Sequence, residues 1–271
     1  MLQVSIDLCA EADELHAFLK TLSDKDWGKP SPFLGWTPWD VVAHLHYFDR
    51  VSVLSLTDDN AFTAKRQELI EALGSGLGNA EIARREFENI DPAELLARWH
   101  QTCGEMAEQL GASDPKRRLM WFGPTMGVQM FTTARYMETW AHGQDVYDLM
   151  RAPRTHADRI RNIAVLGVKT YGWTFANRGL DVPGPPPYVR LTAPSGAIWE
   201  WNDPSETDKI EGFGLEFCRV VTQGRNIADT QLEVAGDAAA KWMAIAQCFA
   251  GAPTDPPKPG ERAWSGEPKQ E

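Results

Sequence analysis

Glu138 and His142 stand four residues apart in the stretch Arg135-Tyr136-Met137-Glu138-Thr139-Trp140-Ala141-His142-Gly143-Gln144-Asp145, which has helical spacing. Four residues is close to one helical turn, so both side chains project from one face. Phe131, Asp145 and Leu149 fall near the same stripe, which reads as the inward side of a helix over residues 128–151. A carboxylate on an inward stripe is costly to bury unless it is paired or bound to a metal. A second helix, from Thr37 to about residue 56, carries His44 in line with Val41, Phe48 and Val51, again an inward stripe. A chain built this way must bring two helices together so that their polar groups meet, as bundle metal sites do.

Two imidazoles and one carboxylate, with one position left open, is the usual composition of a catalytic zinc site. The bland reading also fits: a hydrogen-bonded core histidine on one helix and an exposed E-x-x-x-H pair on the other. Asp145 reads as an acceptor that orients His142, or as a fourth ligand. Arg135, one turn before Glu138, either binds an anionic substrate or pairs with an acid on the surface. His46 falls with Ala43, Asp49 and Arg50 on a more polar side and is expected to point away from the site.

The first half of the chain is helical throughout. Residues 2–22 show helical spacing, and Thr37-Pro38-Trp39-Asp40 is a strong helix start, with Thr as N-cap and Pro at the first helical position. Further helices are expected over residues 58–73, 79–88 and 91–110, with an irregular stretch over 114–127. Gly74-Ser75-Gly76-Leu77-Gly78 follows a helix rather than a strand, so it reads as a loop and not a phosphate cradle. After a linker at residues 151–156 the pattern changes. A helix is expected over 157–177, and Tyr188-Val189-Arg190-Leu191-Thr192 and Ala197-Ile198-Trp199-Glu200-Trp201 flank Pro194-Ser195-Gly196 as a β-hairpin. A helix over 211–223, a strand over 230–234 and a helix over 237–249 follow, and the Pro- and Gly-rich tail from Gly251 is expected to be poorly ordered. The expected class is therefore α+β: a helical bundle over residues 1–152, then a smaller α+β domain over 153–271, with strands only after about residue 185.

The net charge of −11 disfavours a nucleic-acid partner, because phosphate neutralisation needs clustered Lys and Arg. No apolar run is long enough to span a membrane. Asp7, Glu11, Asp13 and Glu14 stand where a signal peptide would be basic and then apolar, so a cytoplasmic location is expected, as a monomer or homodimer. Cys9, Cys103, Cys218 and Cys248 are dispersed with no CxxC pair, against a thiolate zinc site or a disulfide framework. Neither G-x-S-x-G nor H-E-x-x-H occurs.

Gly35-Trp36-Thr37-Pro38-Trp39-Asp40-Val41-Val42-Ala43-His44-Leu45, together with Glu138-Thr139-Trp140-Ala141-His142-Gly143-Gln144-Asp145, resembles the DinB-like metal-binding superfamily. The nearest branch is that of mycothiol-dependent maleylpyruvate isomerase and related actinobacterial metal-binding proteins. The resemblance implies a four-helix bundle holding one divalent metal through His44, Glu138 and His142, followed by a small α/β domain of sterol-carrier type. Gly224-Arg225 matches the family's "Gly-Arg" in that second domain, and Arg225 or Arg135 is then expected to hold a substrate carboxylate.

Three functions compete. The leading one is a metal-dependent enzyme in which a low-molecular-weight thiol such as mycothiol occupies the open position, for S-transfer or isomerisation of a small electrophile. The others are metal-assisted hydrolysis, with Asp145 or another acid as base, and a non-catalytic metal- or small-ligand-binding module. Zinc is the default ion for mixed nitrogen and oxygen donors, although nickel, cobalt and iron bind such sites too.

Overall fold

The computed structural model describes residues 1–262 and falls into two compact units, Met1–Met150 and Arg151–Glu271. In the first unit the order is α1 (Gln3–Leu19), α2 (Asp24–Trp27), α3 (Pro38–Thr57), α4 (Asp59–Gly74), α5 (Asn79–Glu86), α6 (Pro92–Ala112), a two-strand ladder β1 (Arg118–Leu119) and β2 (Met126–Gly127), and α7 (Val128–Met150). Helices α1, α3, α6 and α7 make the bundle: α1 packs on α6 and α7, and α3 packs on the same two. Its core includes Leu8, Leu15, Val42, Leu45, Trp99, Met106, Phe131, Tyr136 and Trp140.

Helix α3 starts where its sequence says. Thr37 accepts from the Asp40 amide and Asp40 accepts in return from Thr37, a capping box with Pro38 at the first helical position. Asp40 is fully buried, and Arg84 of α5 covers it, with one bond of 2.6 Å to Oδ2 and a second to Oδ1. That ion pair fastens α5 across the first turn of α3. Asp91 caps α6 in the same manner as Thr37 caps α3, again with Pro next in line.

The second unit contains a 3-10 turn (Asp158–Ile160), α8 (Arg161–Lys169), α9 (Tyr171–Ala176), β3 (Tyr188–Thr192), β4 (Ile198–Trp201), β5 (Lys209–Phe213), α10 (Gly214–Val221), β6 (Glu233–Ala235) and α11 (Asp237–Ile245). The strands form one sheet in the order β4-β3-β5-β6, with β3 parallel to β5 and the outer pairs antiparallel. Helix α10 packs on α8 and on β3 and β5. The hairpin at Pro194-Ser195-Gly196 forms as expected, with Gly196 at φ +86° supplying the turn.

Several expectations give way to tertiary pairing. Strands occur before residue 185: Arg118 pairs with Gly127 and Leu119 with Met126. Two residues per strand are too few to display an alternating pattern. Residues 209–213 are a strand, not part of the helix expected over 211–223, because β3 offers them a parallel partner from Tyr188 to Thr192. Gly212 permits it, with φ +141° and Leu232 so close that an added Cβ would sit 2.9 Å from its Cδ2. The helix expected over 157–177 breaks at Thr170 into α8 and α9. Residues 251–262 are strapped to their own unit: Gln223 donates to the Thr254 carbonyl at 2.8 Å, and Arg262 donates to the Gln223 carbonyl at 2.8 Å. The rest of the tail expected to lack order lies outside the described residues. No helix among the described residues is long and apolar enough to cross a membrane.

Gly167 of α8 and Gly104 of α6 should respond oppositely to alanine. A Cβ on Gly167 would meet Val221 Cγ2 at 2.9 Å and Phe217 at 3.0 Å, whereas Gly104 has nothing within 4 Å. Gly167→Ala should destabilise by about 1–3 kcal/mol through overpacking. Gly104→Ala should stabilise by about 0.5–1 kcal/mol through helix propensity. Urea unfolding of both variants checks this; equal signs would contradict the packing described.

Candidate metal centre

His44 projects from α3, and Glu138 and His142 project one turn apart from α7. The two helices bring the three side chains together: one donor atom from each lies within 4.8 Å of the others. His44 Nε2 is 3.4 Å and His142 Nε2 is 3.3 Å from the same oxygen, Glu138 Oε2. The His44 side chain is 6 % exposed, that of His142 12 % and that of Glu138 23 %, so the carboxylate is the most open of the three. Among the described residues His44 Nδ1 is buried with no hydrogen-bond partner.

The electrostatics suit a cation. Burial, opposed by the contact with Glu138, pushes His44 down to about 4, so its imidazole is neutral at neutral pH and keeps a lone pair to donate. Burial alone would raise Glu138, but hydrogen bonding to His142 and His44 outweighs it and holds the carboxyl well below the usual range. Asp145 Oδ2 stands 3.4 Å from His142 Nδ1, the ring nitrogen other than the one facing Glu138. The separation is within ion-pair range, and His142 Nδ1 makes no hydrogen bond among the described residues.

An aromatic wall encloses both imidazoles. Trp36 stacks on His142 at 5.3 Å and 14° and leans on His44 at 5.0 Å. Phe33 meets the edge of His142 at 5.3 Å, and Phe48 lies 4.8 Å from His44. The loop before α3 presents Phe33 and Trp36 by turning through two successive left-handed residues, Leu34 at φ +51° and Gly35 at φ +70°. The sequence places Phe48 on the His44 stripe, but Trp36 and Phe33 are not marked there as neighbours of the histidines. Trp36 was within reach, because it directly precedes the Thr37 cap; Phe33 had no local signal.

Other residues lie elsewhere. Arg135 is not an open anion contact: it is 3 % exposed, and its Nε and Nη2 donate to Asp49 Oδ1 at 3.1 and 2.9 Å. Its acid is in the bundle interior, not on the surface, because Asp49 faces α6 and α7. His46 does stand apart from the cluster, but on a buried side, 5 % exposed and stacked on Phe87 at 4.8 Å. Arg225, in the second unit, is 2 % exposed with Nη1 donating to the Gly224 carbonyl at 2.8 Å, so its guanidinium is enclosed rather than presented to solvent. Surface hollows of about 410 and 400 Å³ flank Arg50 and Glu86 and include none of the three clustered donors.

The depressed histidines make a stability statement. His44 and His46 are both pushed to about 4, chiefly by burial, against about 6.5 in an unfolded chain. Between those values the unfolded chain takes up protons that the folded chain refuses. Stability of the metal-free protein is therefore full above about pH 6.5 and falls as the pH drops towards 4. The urea midpoint should be lower near pH 5 than near pH 7, and His46→Phe should shrink the difference. A midpoint independent of pH over this window would contradict the assignment.

Known proteins place the chain. The family described as "Mycothiol maleylpyruvate isomerase N-terminal domain" matches residues 8–147. Uncharacterised proteins from two strains of Mycobacterium tuberculosis are 38% identical over 247 residues, 91% of this chain and 95% of theirs. The crystal structure of the mycothiol-dependent maleylpyruvate isomerase superposes with a TM-score of 0.52 at 13% identity, over 80% of this chain and 87% of that one. A histidine-to-alanine mutant of it superposes with the same TM-score at 12% identity and the same coverage. At such identities the structural likeness speaks to the α+β fold, while the family match rests on sequence. The chain belongs to the mycothiol maleylpyruvate isomerase N-terminal domain family.

Proposed function

We propose that this protein is a metal-dependent enzyme that uses a low-molecular-weight thiol of the mycothiol type for S-transfer or isomerisation of a small electrophile. The observation that carries the reading is the convergence of one buried imidazole, His44, with a half-buried imidazole, His142, and the Glu138 carboxylate between α3 and α7. The donor set fits a divalent ion: two imidazole nitrogens, an anionic oxygen, and contacts to Glu138 of 3.3 and 3.4 Å that a cation between the groups would replace. Zinc is the first choice for such donors. A bound ion would supply an open position for the thiol sulfur and favour its thiolate at neutral pH.

The protein's own groups have distinct parts. His44, Glu138 and His142 hold the ion, and Asp145 keeps the His142 ring in orientation. Trp36, Phe33 and Phe48 restrict water around the imidazoles, which strengthens every charge interaction there. In isomerisation the thiol adds to a conjugated double bond, the resulting single bond rotates, and the thiol leaves unchanged, so no oxidant or reductant is required. In S-transfer the thiol proton passes to solvent or to the leaving group as the carbon–sulfur bond forms. The family relationship supports the thiol. The electrophile is a small conjugated compound, the class to which the maleylpyruvate in the structural neighbour's name belongs.

Elemental analysis should find one divalent metal per chain, largely lost in His44→Ala and His142→Ala and retained in His46→Ala. Full metal content in either of the first two variants would remove the ligand assignment.

Mycothiol added to the cobalt-substituted protein should produce a sulfur-to-cobalt charge-transfer band. If mycothiol, glutathione and bacillithiol all fail to bind at millimolar concentration, the thiol reading falls and a hydrolytic or purely binding role takes its place.

A further inference from the structure

We propose that the buried Asp49–Arg135 pair is a positioning element, setting α3 against α7 at the rotation and height where His44 meets Glu138 and His142. The inference rests on the metal-centre reading above. Asp49 is fully buried and Arg135 is 3 % exposed, so both charges lie in the bundle interior. Arg135 directs Nε and Nη2 at Asp49 Oδ1, at 3.1 and 2.9 Å, and Trp99 of α6 donates Nε1 to Asp49 Oδ2 at 3.1 Å. A single carboxylate of α3 is thereby tied to both neighbouring bundle helices.

The pair shares its helices with the donors. Arg135 precedes His142 by seven residues, just under two turns, so the two lie on almost the same line of α7. Asp49 lies five residues beyond His44 on α3. Apolar side chains between two helices tolerate small slides and rotations, since many packings of similar volume are nearly equal in energy. A guanidinium held through two N–H groups is directional and tolerates far less. Metal ligands on different helices demand that kind of constraint, because donor atoms must hold to within about 0.5 Å of the productive geometry. Buried ion pairs are weak contributors to net stability, since desolvation offsets much of their attraction, and their best-attested use is to specify register. Arg135 therefore serves the site through α7 rather than by touching a substrate.

The test separates positioning from stability. The triple variant Asp49→Val/Trp99→Phe/Arg135→Met removes the ion pair and the indole donor together, leaving no orphaned polar group of the three. Cobalt affinity by chelator competition, the cobalt absorption spectrum and thermal unfolding of the metal-free protein are measured beside wild type and His44→Ala. The metal-free triple variant is expected to unfold cooperatively at or above the wild-type midpoint. Its cobalt affinity should be roughly tenfold or more weaker, and its ligand-field bands displaced. Arg135→Lys keeps the charge but loses the two-pronged donation, and should show a smaller loss in the same direction. A folded triple variant with wild-type affinity and spectrum overturns the proposal. Should the triple variant not fold, wild-type affinity in Arg135→Lys overturns it instead. Wild-type protein that binds no cobalt overturns the metal-centre reading itself, and this inference with it; cobalt binding abolished by His44→Ala confines any later failure to the positioning role.

Discussion

Desolvation of polar groups on α3 organises the first unit. This helix buries Asp40, His44, His46 and Asp49, and each is met by a different neighbour. Arg84 of α5 closes on Asp40, Glu138 of α7 approaches His44, Phe87 stacks on His46, and Arg135 of α7 with Trp99 of α6 satisfies Asp49. Removing one partner of a buried charge pair leaves the other uncompensated, at a cost of about 3–5 kcal/mol. Apolar burial supplies most of the driving force for such a bundle, but it is indifferent to small rotations. These polar contacts are not, and they select one arrangement of helices around α3.

The candidate centre follows from that arrangement. Two donors come from successive turns of one helix, so their spacing is set by local geometry, and the third comes from a helix whose placement is a tertiary matter. The environment then sets the charge states. Burial keeps the His44 imidazole neutral, while contact with two imidazoles keeps Glu138 ionised despite its own desolvation. Trp36 and Phe33 add an apolar wall whose position depends on the left-handed turn at Leu34 and Gly35. A non-glycine residue in that region carries backbone strain, and strained loops beside polar clusters are common where a site must be held in shape.

What the amino-acid order determined by itself was local. Thr37-Pro38 and Asp91-Pro92 start helices because a side-chain oxygen and a missing N–H suit the first turn whatever surrounds them. Turn chemistry at Pro194-Ser195-Gly196 made the β3–β4 hairpin legible, and Glu138 and His142 share a face through helical pitch alone. The clustering of His44 with them was readable only because inward stripes and a family motif agreed. Tertiary structure decided the rest. Residues 209–213 are a strand because β3 offers unpaired backbone groups beside them, a partner that no local window contains. Arg135 turned inward because Asp49, 86 residues away, gives its buried guanidinium an acceptor. Phe33 reached His142 through a loop turn, and His46 found Phe87 on a face whose sequence looked polar. Spacing along a chain sets which side chains share a face; only packing sets what that face meets, because the partner is fixed by long-range desolvation and hydrogen-bond satisfaction.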